Sequence, residues 1–377
     1  MNGLLLFMAP SKNLKSIVIV GGGTAGWLTA GIIAAEHSAN GSESDGLIDI
    51  KVTLVESPDI STIGVGEGTW PSMRSTLQKM GISETDLIRD CDASFKQGTL
   101  FKSWKTGGND AYTHPFTPPH SYASTNLAPQ WQKFSKEVSF AEAVSSQNAL
   151  MFKDLAPKQI STPEYAFHTN YGYHLDAGKF AELLRKHCVE KLGVTHLKAN
   201  VVSVKSTADG DIASLKTDSH GDISGDLFVD CSGSRALLLG EHFGVPFCSK
   251  GQFLFNDTAL ASQIPYVNDD DPIASSTLST AQTAGWIWDI GLPTRRGIGH
   301  VYSSGHTTED RAAQELLAYI SATVSHEAAA SASIRKVPFS PGHRAKFWYK
   351  NCVAVGMSAG FIEPLEASAL VLVELSA

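Results

Sequence analysis

This sequence predicts a mixed α/β fold built outward from a Rossmann-like strand–turn–helix, and three observations predict it. Residues 17–20, Ile-Val-Ile-Val, run directly into the turn Gly21, Gly22, Gly23, Thr24, Ala25, Gly26, and an Ala/Ile-rich helical pattern follows to His37. Glycines at the first, third and sixth positions allow the tight turn, let the backbone approach a pyrophosphate and let the helix pack on the strand, while the helix N-terminus attracts the phosphates. The stretch 48–55 then alternates as a strand should and ends at Glu56, an acid placed to hold a ribose hydroxyl. Late in the chain, 224–229 runs into Asp230 and Gly233, and 351–357 runs through Gly356, so two more apolar segments end in tight turns.

Glu56 lies 30 residues after Gly26, beyond the usual ~20, and the polar segment 38–46 reads as the insertion responsible. An acid at this place suits NAD or FAD rather than NADP; the plainer reading is a solvated strand end. With 377 residues the chain can bury a large core and suits one body with an embedded subdomain. A net charge of −8 with 18% charged residues leaves no basic stripe for nucleic acid. Five cysteines, scattered without CxxC or Cys/His spacing, indicate neither a disulfide framework nor a zinc site. Reduced thiols and a cytoplasmic location are expected. The apolar run 4–8 is too short to span a bilayer and reads as a frayed leader, so no membrane partner is expected.

In chain order, Gly64, Gly66 and Gly68 alternate with Val65 and Glu67, so backbone lies flat against a neighbouring strand or a planar ligand. A helix is expected over 73–91. Lys96 follows among apolar neighbours, where an isolated lysine ordinarily reads as a surface charge. The segment 107–163 is rich in Pro, Ser, His and aromatic residues and reads as an irregular excursion covering a pocket; His114 and His120 within it lack metal-ligand spacing. Asp176 is an N-cap candidate for a helix with Phe180, Leu183, Leu184 and Cys188 on its apolar face. Strands are expected over 199–204, 211–217 and 224–229. At the end, a helix is expected from Leu365 or Glu366, placing free N–H groups around 366–369 that suit an anion; a glutamate there is also an ordinary helix cap.

Five ordered motifs carry a resemblance. The GGGTAGW opening, IGVGEGTWPSM, DASFK, GWIWDI and the closing GFIEPLEAS are similar to those of the flavin-dependent tryptophan halogenase family, from residue 16 to the last residue. The resemblance implies an FAD-binding Rossmann-like fold of the GR2 flavin monooxygenase type with an inserted β-rich subdomain on the substrate side. It implies that a separate NAD(P)H-dependent flavin reductase supplies reduced FAD, and that FAD, O₂ and chloride or bromide yield hypohalous acid for an electron-rich ring such as an indole. Lys96 matches the lysine that receives the oxidant and Glu366 the glutamate that polarises it or takes the ring proton. Gly21, Gly23, Thr24, Ala25, Gly26 and Glu56 would hold the adenosine diphosphate part. Gly64, Val65, Gly66 and Glu67 would form a strap over the flavin ring, bordered on the other side by Asp230, Gly233 and Gly356. Ser368 and Ala369 would contact halide, His114 and Phe116 would line the substrate pocket, and Trp286 and Trp288 would bar substrate from the flavin.

Two departures stand out: Ala367-Ser368-Ala369 replaces the usual Ser-Thr-Gly after the glutamate, and Gly291 replaces the proline that often follows WxWxI. The first bears on the halide contact; the second implies a differently shaped loop, which together with a missing C-terminal grip argues against free tryptophan as substrate. The chain ends 11 residues after Glu366 within an apolar run, from which a truncated C-terminal substrate module is expected. A homodimer is allowed. The competing readings are a flavin-dependent aromatic monooxygenase and an inactive FAD-binding fragment.

Overall fold

A computed structural model describes residues 14–37, 50–60 and 66–377. The leader 4–8, the insertion 38–46 and, from the strap, Gly64 and Val65 lie outside the described residues. The first strand, Ser16–Val20, sits centrally in a six-stranded sheet. Lys51–Glu56 and Thr195–Lys198 extend it on one side; Leu227–Asp230 and Cys352–Ala354 extend it on the other, all parallel, and Trp348–Tyr349 closes that edge antiparallel. Strands that are buried on both faces read as continuous Val/Ile/Leu runs, and 17–20 does. The helix Thr24–His37 leaves the first turn and buries Trp27, Leu28, Ala30 and Ala34 against the sheet and the helix Ala177–Glu190. Asp176 caps the latter helix by accepting from Lys179 N at 3.0 Å, and Phe180, Leu184 and Cys188 face the core, as the pattern predicts.

Three expectations need correction. The helix expected over 73–91 is two helices, Ser72–Met80 and Glu84–Asp90. Gly81 ends the first at φ 79°, and the Ser83 side chain caps the second, so the local turn chemistry outweighs the helical periodicity. The strand expected over 224–229 divides: Asp222–Ser224 pairs in a small antiparallel sheet, whereas Leu227–Asp230 joins the parallel one. The excursion 107–163 is not wholly irregular, because Ala111–Pro115 is an edge strand of a seven-stranded sheet and short helices follow it.

That seven-stranded sheet is the β-rich part, antiparallel throughout except where Thr277–Gln282 lies parallel to Gly98–Lys102. Between it and the core lies a three-stranded sheet, Gly66–Gly68, Gly172–Asp176 and Ser94–Lys96 in that order. Alternation sends its two faces to different places. Phe95, Tyr173 and Leu175 enter the main core, while Ser94 on the other face donates to Gly291 O of the seven-stranded sheet at 2.5 Å.

The far end of the excursion is fastened by a buried carboxylate. Glu84 accepts from Lys158 Nζ at 2.8 Å, Tyr171 Oη at 2.5 Å, Tyr173 Oη at 2.7 Å and Tyr165 N at 2.7 Å. Burial pushes its pKa up, but these donors outweigh that and hold it below the usual carboxylate value. Removing one partner of a buried ion pair strands the other charge, at a cost of about 3–5 kcal/mol. Glu84→Ala is therefore expected to lower the unfolding free energy by about that amount in urea titration, with little change expected for Asp86→Ala on the exposed face of the same helix.

Candidate active site

The dinucleotide turn has the shape its glycines imply. Gly21 takes φ 124°, a region open to glycine, and a Cβ there would overlap the carbonyl of Cys231; one on Gly26 would overlap the carbonyl of Gly21. Beyond Gly23, by contrast, nothing lies within 4 Å of the Cβ position. Glu56 ends its strand with the carboxylate crossing Gly22, where a Cβ would collide with it, and contacts His196 Nε2 at 2.6 Å. Thr24 and Ala25 open the helix.

Asp230 lies at the end of its strand, but its carboxylate turns inward. It accepts from Leu238 N and Leu239 N at 2.8 Å each and from Ser232 Oγ at 2.5 Å. Its oxygens thus hold the turn that presents Gly233, whose φ is 72° and whose Cβ position is open. Gly356, at φ 74°, packs against Ala25, where a Cβ would come within 2.9 Å of the alanine methyl. It sets the distance between the first helix and the C-terminal one.

Lys96 and Glu366, 270 residues apart in the chain, come close enough to act on each other electrostatically without forming a direct ion pair. Lys96 is fully buried, at 0% exposure, and its Nζ has no hydrogen-bond partner. The ammonium lies 3.0 Å from the Cβ position of Gly68 and 5.4 Å from the ring centre of Phe116. A bulkier residue at 68 would displace it. Burial pushes the lysine pKa down to about 8, against the pull of the Glu366 charge in the other direction. Glu67, beside Gly68 in the strap, is pushed up to about 7 by burial and by the charge of Asp176.

The glutamate is held from three places in the chain. Oε1 contacts His114 Nδ1 at 2.9 Å, Oε2 accepts from Thr99 Oγ1 at 3.2 Å, and the backbone oxygen accepts from Trp70 Nε1 at 2.8 Å. Burial pushes its pKa up, but the contacts with His114, Lys96 and Thr99 outweigh this and leave it below the usual value. Reciprocally, His114 is raised by its bond to Glu366. Here the expected helix start is corrected. Glu366 and Ala367 both take left-handed backbone, φ 65° and 52°, and the helix is Ser368–Ser376. Such a conformation costs a non-glycine residue about 1–3 kcal/mol and persists where surroundings enforce it. Ser368 and Ala369 are the first residues of that helix, whose leading N–H groups have no partner within the helix.

Trp286 and Trp288 lie one layer away. Trp286 is buried and donates from Nε1 to Glu363; with Trp104, Trp288 and Leu365 it forms a cluster beneath the loop that carries Glu366. Thr99 carries no sequence pattern of its own, since strand register alone brings it to Glu366; Trp70 lies within IGVGEGTWPSM, but its bond to the Glu366 backbone is not encoded there. Among the described residues no cluster of His, Cys, Asp and Glu could hold a metal, and no helix is long and apolar enough to cross a membrane.

Comparison with known proteins follows the same line. The tryptophan halogenase family profile matches residues 16–377. RebH, a tryptophan 7-halogenase of Lentzea aerocolonigenes, is 34% identical over 380 residues, which span 96% of this chain and 68% of RebH. Among solved structures, a tryptophan halogenase from Shewanella frigidimarina superposes with TM-score 0.91 at 54% identity, covering 96% of this chain and 69% of that one. BrvH, a flavin-dependent halogenase from Brevundimonas, superposes with TM-score 0.81 at 34% identity, covering 96% and 70%.

Removing the Glu366 charge while burial persists should disfavour the ammonium further. In Glu366→Gln, the Lys96 titration followed by NMR of its ε-carbon is expected below the value of about 8 held by the parent; an upward move would contradict the electrostatic account.

Proposed function

As a member of the tryptophan halogenase family, this chain is a flavin-dependent halogenase, and we propose that Lys96 and Glu366 are its catalytic pair, acting on an indole or a related electron-rich ring. The observation that carries the assignment is the fully buried, unpartnered Lys96 ammonium within the field of a glutamate held by His114, Thr99 and Trp70. An aromatic monooxygenase does not call for that pairing, and the halogenase relatives favour the halogenase reading over it.

The glycine cradle fits FAD. Open space beyond Gly23, Gly66 and Gly233 is what a cofactor lying against backbone requires, and the enforced turn at Gly21 and Gly26 brings a helix N-terminus to its phosphates. Gly21, Gly23, Thr24, Ala25, Gly26 and Glu56 would hold the adenosine diphosphate part, Gly66 and Glu67 the ring, with Gly233 opposite. Asp230 and Gly356 would act by shaping the turns around the cofactor. Reduced FAD, when bound, supplies with O₂ and halide the hypohalous acid used here.

Lys96 holds that oxidant by hydrogen bonding to its oxygen or by forming a haloamine, and burial suits the lysine to this work because it lowers the proton affinity of the amine and keeps water from competing for its hydrogens. As the ring carbon bonds to halogen, the O–X bond breaks toward oxygen. Glu366, ionised at neutral pH, takes the ring proton. His114 and Phe116 line the approach, the ring of Phe116 shielding Lys96 from the pocket side. Trp286 and Trp288, behind Leu365, keep substrate from the flavin by supporting the loop rather than by touching the pair. Ser368 and Ala369 would offer N–H groups to chloride or bromide. A separate flavin reductase supplies the reduced cofactor, and the setting is cytoplasmic.

With a reductase, FAD, indole and sodium bromide, mass spectrometry is expected to show the bromine isotope doublet in product. Lys96→Ala and Glu366→Gln should each slow it by about 10²–10⁴-fold, leaving a measurable residue. Bromination that persists unchanged in Lys96→Ala would assign the chemistry to freely diffusing oxidant.

A further inference from the structure

A second buried polar group stands beside Lys96. His174 occupies the middle strand of the three-stranded sheet, paired with Gly68 on one side and Ser94 on the other. Side chains at paired positions share a face, as do positions two apart on one strand. His174, Lys96 and the bare face of Gly68 therefore look the same way, away from the core that receives Tyr173 and Phe95.

Lys96 starts on the strand Ser94–Lys96, but its ammonium lies over Gly68, two strands away. With strands spaced about 4.8 Å apart, the side chain must cross the middle strand between Gly172, its own paired residue, and His174. The imidazole is thus beside the lysine stem. It is fully buried; Nε2 contacts Thr277 Oγ1 at 2.8 Å, and Nδ1 has no partner. Thr277 pairs in register with Thr99, which holds Glu366. Two unpartnered buried polar atoms, Lys96 Nζ and His174 Nδ1, accordingly belong to neighbouring side chains on one face of the sheet, and the Glu366 charge acts on the lysine. Buried polar groups are almost always satisfied, so two left open side by side describe a place for a small molecule that both accepts and donates.

We propose that His174 is the second contact on the oxidant: hypohalous acid lodges between Lys96 and His174, its oxygen accepting from the ammonium and its O–H donating to Nδ1. This rests on the assignment of Lys96 above. Thr277 fixes the tautomer by accepting from Nε2–H, which leaves the Nδ1 lone pair free. The halogen then points away from both anchors, toward the ring. When the ring carbon takes the halogen, the O–X electron pair stays on oxygen, the nascent hydroxide takes a proton from the Lys96 ammonium to give water, and the ring proton passes to Glu366. Atoms and charge balance, and His174 ends neutral as it began. The charged groups facing His174 are Lys96 and, beyond it, Glu366; Asp176, further along its strand, is engaged by Arg295 at 2.6 Å.

Two variants separate a contact on oxidant from a merely structural role. Asn places a polar atom where Nδ1 stands, and Gln places one where Nε2 stands. His174→Gln is expected to keep the Thr277 contact and the melting temperature but to lose about tenfold in product per reduced flavin oxidised, with the missing oxidant captured by a 1,3-diketone trap in solution; His174→Asn should recover most of the yield. Independently of turnover, the nitrogen NMR spectrum of the cofactor-free protein should show Nε2 protonated and Nδ1 bare from about pH 6 to 9. His174→Gln behaving as the parent, both variants failing together with a lowered melting temperature, or a proton found on Nδ1 would each overturn the proposal. Lys96→Ala run alongside keeps the two claims apart, because full bromination there defeats the assignment of Lys96 whatever His174 does.

Discussion

The site depends on keeping one ammonium out of water. Taking an isolated charge into a protein interior is expensive unless it is paired or gives up its proton, and Lys96 is fully buried with no protein hydrogen-bond partner. What makes the burial tolerable is the field of the Glu366 carboxylate, an aromatic face and a lowered proton affinity. Each of those comes from a different part of the chain, so the fold around the site can be read as the means of delivering them.

The delivery is architectural. The three-stranded sheet belongs to neither large sheet; one face completes the main core, and the other carries Lys96, His174 and the bare Gly68 toward the seven-stranded sheet. That second sheet contributes Thr99, His114 and Thr277. Glu366 arrives last, on a loop whose left-handed backbone would relax if nothing held it. Trp70 bonds its carbonyl, Thr99 and His114 its carboxylate, and Leu365 packs on the tryptophan layer. Because Trp70 lies two residues after Gly68, its indole ties the strand Gly66–Gly68 to the loop that carries Glu366.

Much of this was legible in the residues, though unevenly. The Ile-Val-Ile-Val run, the spaced glycines and Glu56 specify the dinucleotide half because backbone requirements leave a mark at fixed spacing. Lys96 left no such mark: its burial follows from cross-strand register, and only the motif resemblance distinguished it from a surface charge. Asp230 was read as a cofactor border, yet its oxygens serve backbone N–H groups, a distinction that side-chain identity does not encode. Gly81 and Ser83 did signal the helix break within 73–91, and the periodicity on either side obscured it. His174, Thr277 and Thr99 lie on three strands, so no local pattern joins them.

The account's central claim is that Lys96 and Glu366 act as a unit, and a double-mutant cycle on halogenated product formed per reduced flavin tests it most directly. Residues that act together are strongly non-additive. The account predicts that Lys96→Ala/Glu366→Gln is no worse than Lys96→Ala alone; losses that multiply across the two single variants would mean that the two groups work independently, and would contradict it.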